Sequence, residues 1–192
     1  MEQHAGAADP TRIRTLTFKQ VAAATAVALA ALAAHAQQQH AHVHGLLKLD
    51  VSIDGPTLTV AIDSPLDNLL GFERAPRTEA EKKTVEQAVA QLRNAGALFK
   101  IDPAAGCKVG QIDLEAPVIG LGSARAEGAA AHADLEGSVT FRCADAARAR
   151  FIDVELFGAF RNLRQIDAQI ASPQGQFQRT LKRPNGRLAW GK

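Results

Sequence analysis

The sequence predicts an α+β fold, a mostly antiparallel β-sheet domain with one main helix at about 79–95. A series of short stretches alternates apolar and polar residues with period two or is rich in β-formers, while only one window shows sustained helical periodicity. The strand-like stretches also follow one another in hairpin-like succession instead of alternating with helices, which favours antiparallel pairing.

Residues 1–36 come before these elements and read as an export signal. Arg12, Arg14 and Lys19 give a positive start, "VAAATAVALAALA" (21–33) a short apolar core, and Ala34-His35-Ala36 a small-residue cleavage site. The core is shorter than the roughly 20 apolar residues of a membrane span, so cleavage after Ala36 is expected, with no membrane span in the mature chain. Removing 36 of 192 residues leaves 156, enough for one domain with its own core. Residues 37–45 form a histidine-containing N-terminal segment, and 46–192 a single β-rich domain.

"LLKLDVSID" (46–54), Asp54-Gly55-Pro56 and "TLTVAID" read as a β-hairpin. "SPLDNLLGFERAPR", with prolines at 65 and 76, reads as a loop. Thr78 and Glu81 form a capping box that opens the helix. Val85, Ala88, Val89 and Leu92 make its apolar face, Glu81, Lys82, Lys83, Glu86 and Arg93 a solvated one, and Gly96 is placed to end it. Further strands are expected at 97–101, 107–116, 133–143, 150–157, 165–172 and 175–183, the last two joined by the turn Ser172-Pro173-Gln174-Gly175. A kink is expected at Gly137, and "GLGSARAEGAAAHA" (120–133) reads as a small-residue loop.

Taking the three basic and two acidic residues of the signal from 22 Lys+Arg and 20 Asp+Glu leaves 19 against 18, with no clustering of either sign. Nucleic-acid binding, which wants a basic stripe interleaved with aromatics, is not supported, and a monomer is expected. A lone cysteine pair in an oxidising compartment, Cys107 and Cys143, is expected to form a structural disulfide. The rival reading, two thiolate metal ligands, lacks a CxxC-type neighbour for either cysteine.

Half of the six histidines, His40, His42 and His44, fall within five residues at alternate positions. On a strand they would project the same way, neighbours roughly 7 Å apart and the outer pair about 13 Å apart, so one ion would use two of them. "HADLE" repeats the pattern with His132, Asp134 and Glu136. If this strand lies beside the first, a His-x-His pair would meet His132 and a carboxylate across the ladder, giving the nitrogen and oxygen donors zinc accepts. A solvated tail is the competing reading of HxHxH, and ordinary surface that of H-x-D-x-E. Copper is the chemical competitor. An amino-terminal copper(II) site wants histidine third, and cleavage after Ala36 places His40 fourth; the only methionine is the initiator, so the mature chain offers no thioether.

The sequence resembles the ZrgA-like family of periplasmic zinc-binding proteins. The resemblance is carried by "HAHVHG", "SPLDNLLGFERAPRTEAEK" (64–82), "LFKIDPAAGCKV" (98–109), "DLEGSVTFRCAD" (134–145), "VELFGAFRNLRQIDAQIASPQGQ" (154–176) and the end near "NGRLAW", in the family's order. It implies a compact β-rich domain with one helix, a Cys107–Cys143 bond, zinc binding in the periplasm and assistance to a zinc-uptake transporter. Two departures stand out. "GSARAEGAAAHAD" replaces a long His/Asp/Glu-rich insert and retains only His132 and Asp134, which argues against high zinc capacity. Arg74 stands after "GFE" where many members carry histidine, leaving Glu73 as a substitute ligand.

The expected function is zinc capture and hand-over in the periplasm, with His40, His42, His44, His132, Asp134, Glu136 and Glu73 as candidate ligands. Ligation needs neutral imidazole, so binding is expected to weaken below about pH 6.5. No nucleophile–base order stands out, and an enzyme is not expected. An exported β-domain that binds a protein or envelope partner without metal, or a copper-handling protein, is the alternative.

Overall fold

A computed structural model describes residues 43–122 and 133–191. The strand β1 (Leu46–Asp54) and β2 (Thr57–Pro65) form the expected hairpin, in register from Lys48 opposite Asp63 to Asp54 opposite Thr57. Gly55, at φ 54°, occupies the first position of the two-residue turn, a backbone conformation that L side chains rarely adopt. Leu47, Leu49, Val51 and Ile53 alternate inward on β1, facing the core with Leu58, Val60 and Ile62 of β2.

The stretch expected to be a loop after β2 is more ordered than its sequence suggested. The strand runs on to Pro65, and helix α1 (Leu66–Leu70) follows at once. Pro65 has no N–H to give a ladder and is paired only at the strand's last position, opposite Asp134.

Helix α2 (Glu79–Arg93) opens with the full capping box: the Thr78 hydroxyl accepts from the Glu81 N–H, and the Glu81 carboxylate accepts from the Thr78 N–H. Val85, Ala88 and Leu92 are buried, and Val89 is half-buried. Gly96 does not end it. The helix stops at Asn94, whose N–H is shared between the Ala90 and Gln91 carbonyls, and Gly96 falls inside a second short helix, α3 (Ala95–Leu98). A Cβ on Gly96 would lie 3.2 Å from Val109 Cγ2, so close packing accounts for the glycine.

Beyond α3 come β3 (Phe99–Ile101), β4 (Cys107–Glu115), β5 (Asp134–Cys143) and β6 (Phe151–Val154). Helix α4 (Leu156–Ala159), β7 (Gln165–Ser172), β8 (Gly175–Lys182) and β9 (Arg187–Ala189) complete the chain. The stretches 97–101 and 150–157 are thus divided between strand and helix, and β9 was not expected as a strand. The anticipated kink at Gly137 is also absent. Leu135, Val139, Phe141 and Cys143 share parity and are all buried, so β5 runs straight; the irregularity lies in its partner β4, between Val109 and Ile112.

Six strands form one sheet in the order β4-β5-β2-β1-β7-β8, and β3-β6-β9 form a second of three. Among the described residues every pair is antiparallel except β1 with β7, next to the central pair β2–β1 of the large sheet. Inner-face residues of the large sheet share one core cluster with Leu92 of α2, Ile152 of β6, Leu188 of β9 and Trp190. The α+β expectation is met, with strands predominating. Cys107 and Cys143 are register partners and are joined by a disulfide.

Candidate metal centre

The start of β1, the end of β2, the start of β5 and the start of β7 lie at one end of the large sheet. His44 precedes β1 in a turn closed by the Leu46 N–H donating to the Val43 carbonyl at 3.0 Å. Gly45, at φ 86°, follows it, and its carbonyl accepts from the N–H groups of Arg164 (2.8 Å) and Gln165 (2.9 Å). The backbone carrying His44 is therefore tied to β7 as well as to β1.

On the other side stands α1. The His44 ring lies between two carboxylates, with Nδ1 3.6 Å from Asp67 Oδ2 and Nε2 3.3 Å from Glu73 Oε1. The imidazole is 62 % exposed and each carboxylate 28 %, so the cluster is reachable from solvent while its acidic wall is largely covered. Sequence reasoning found His44 and Glu73 but missed Asp67, which sits in the first turn of a helix taken for a loop.

Glu73 is flanked by anchored residues. The Arg74 guanidinium lies over the Phe72 ring at 5.2 Å and donates twice to Glu81, at 2.6 and 3.0 Å. Glu81 also accepts from the N–H groups of Arg77 (2.6 Å) and Thr78 (3.3 Å). The Arg74 hydrogen bond foremost, then the Arg77 N–H, holds the Glu81 carboxyl down at about 2. Arg74, at the position where the resemblance implies histidine, thus fixes the segment around Glu73 to the start of α2.

The other expected ligands are dispersed or lie outside the described residues. His40, His42 and His132 are among the latter. Asp134 is half-buried, at the same end of the sheet, opposite Pro65. The strand carrying Asp134 and Glu136 does not lie beside β1, the condition on which a shared ladder of ligands depended. The hairpin gives β1 one neighbour, β2, and β7 takes the other side, so β5 stands one strand away and no ligand set can form across a shared ladder. Glu136 points to the outer face, opposite Asp63 of β2 and Glu115 of β4, in an acidic strip that also holds Asp50 and Asp113. Among the described residues, no group of three or more His, Cys, Asp or Glu is arranged to hold a metal ion by itself. One imidazole and two carboxylates are nonetheless the donor types zinc accepts, and His44, Asp67 and Glu73 form an incomplete set of that kind.

The family model described as ZrgA family zinc uptake protein matches residues 41–190. The chain belongs to the ZrgA family. That membership gives it a part in zinc uptake and links it to a zinc transport system. No curated protein matches the chain. The disulfide and the ZrgA match both fit an exported protein. Among the described residues, no helix is long and apolar enough to cross a membrane.

Proposed function

We propose that this ZrgA-family chain is exported, is released from its signal after Ala36, captures zinc in the periplasm and hands it to a zinc-uptake transporter. Zinc is its cargo. His44 supplies one nitrogen and Glu73, with Asp67 beside it, the oxygen donors. The sequence offers His40, His42, His132 and Asp134 as candidates for the remaining positions, of which a four-coordinate zinc needs only one or two. Glu136, on the outer face of the sheet, takes no part. The observation that carries the reading is His44 set between Asp67 and Glu73 at the end of the central strand β1.

The Asp67 and Glu73 carboxylates face the His44 imidazole from two sides. A zinc ion entering there gains neutral imidazole nitrogen and anionic oxygen together. Capture and release need reversible ligation only, so this reading assigns the protein no catalytic step.

The test is metal content and zinc titration of protein expressed from Gln37, compared with a His40/His42/His44→Ala triple variant. One or two tightly bound zinc ions, lost in the variant, are expected. Absence of zinc uptake by the unmodified chain at neutral pH overturns the reading and leaves the histidines as a solvated tail. Tighter binding of copper than of zinc overturns the choice of metal.

A further inference from the structure

We propose that Asn68 is the positioning residue of this site, fixing the backbone that presents His44 against the helix that presents Asp67 so that both are in place before metal arrives. The proposal rests on the zinc-capture reading above.

Asn68 follows Asp67 in α1 and is 1 % exposed, one of the few buried polar residues among those described. Its side chain has one acceptor oxygen and two donor hydrogens on nitrogen, and all are engaged. The oxygen accepts from the N–H of Gly45, the residue next to His44. The nitrogen donates to the Leu46 carbonyl at 2.7 Å and to Ser64 Oγ at 3.1 Å. One carboxamide therefore joins the start of β1, the end of β2 and α1.

A side chain serving only to fill space here would be apolar, because burying an amide is unfavourable unless every group finds a partner. The partners of Asn68 are a donor and two acceptors, which a carboxamide satisfies and a carboxylate of the same shape does not. Gly45 is held from the opposite side as well, by the Arg164 and Gln165 N–H groups on its carbonyl. The peptide that aims His44 is thus gripped on both sides. The Asp67 carbonyl is also fixed, accepting from Gly71 N–H at 2.9 Å and Asn162 Nδ2 at 3.0 Å. Partners that orient a metal ligand from outside the coordination sphere typically change affinity about 10- to 100-fold when lost.

The experiment uses the chain from Gln37 and its Asn68→Asp variant, which keeps the shape and the acceptor but removes both donors. Leu188→Ala, in β9, serves as a variant that loses stability without touching the site. Zinc affinity is read by competition with a chromophoric chelator, coordination geometry by the visible spectrum of the cobalt(II) form, and the metal-free state by hydrogen exchange at the Gly45 amide. Asn68→Asp is expected to lose at least about tenfold in zinc affinity, to shift the cobalt spectrum and to lose Gly45 protection. Leu188→Ala should keep the unmodified affinity and spectrum.

A folded Asn68→Asp protein with affinity within about twofold of the unmodified chain and an unchanged spectrum overturns the proposal, a change that small being below the typical range. The same holds if Leu188→Ala loses as much affinity as Asn68→Asp. If Asn68→Asp does not fold, Ser64→Ala decides, since it removes one of the amide's three anchors; a shifted cobalt spectrum supports the proposal and an unchanged one with unchanged affinity overturns it. An unmodified chain that binds no zinc overturns both this and the capture reading, whereas zinc binding that is indifferent to these substitutions overturns the role of Asn68 alone.

Discussion

Replacing both Cys107 and Cys143 with alanine removes the bond between the first residue of β4 and the last of β5. The sequence separation of 36 sets the size of the loop that the bond closes in the unfolded chain, and the chain-entropy relation then assigns it about 3.8 kcal/mol at 25 °C. At about 2–4 °C per kcal/mol for a domain of this size, the midpoint of thermal unfolding should fall by roughly 8–15 °C. β4 is an edge strand and largely exposed, so little burial holds it in place when the bond is gone. The assay is a far-UV circular-dichroism melt of the oxidised protein, of the double variant and of the wild type under reductant. The site lies at the opposite end of β5 from Cys143, so zinc affinity of the folded variant should be unchanged. A fall under about 3 °C in both the variant and the reduced protein would refute the entropic argument, since it corresponds to at most about 1.5 kcal/mol, less than half of the expected value.

Leu49, fully buried on the central strand, should cost about 3 kcal/mol when replaced by alanine, read as a lower midpoint in urea with an unchanged slope. Thr78→Ala removes the acceptor for the Glu81 N–H and should cost about 1 kcal/mol in the same titration. Glu81 titrates at about 2 in the folded protein against an ordinary 4.5, so its interactions stabilise the fold above about pH 4.5 and are lost as pH falls towards 2. Arg74→Ala should raise the Glu81 value only part of the way, because the Arg77 and Thr78 N–H donors remain; a side-chain carboxyl NMR titration checks this, and an unmoved value would deny Arg74 the leading part.

Local features of the fold were legible in the sequence because their causes are local. Alternation on β1 and β2 marks a one-sided strand, and Thr78 with Glu81 marks a helix start within four residues. α1 was not legible, since five residues after a proline cannot display helical periodicity, and a strand as short as Arg187–Ala189 cannot display alternation. Strand order was hidden for another reason: whether β5 pairs with β1 or β2 depends on partners distant in sequence. The candidate site divides in the same way. His44 stood out through its neighbours His40 and His42, whereas Asp67 acquires meaning only once α1 folds back on the residue before β1.

The parallel pairing of β1 with β7 has a consequence for how the chain acquires its shape. Leu46 is opposite Gln165, about 120 residues further on, and the pairing holds as far as Ser52 opposite Ala171. A nascent chain can close the β1–β2 hairpin early, but the strand that leads from His44 keeps one open edge until Gln165 and the rest of β7 have emerged. Pairings this distant make folding slow compared with that of helical bundles, and they expose an unpaired strand in the interval. His44 should therefore reach its finished surroundings late, when β7 arrives to close the open edge of β1.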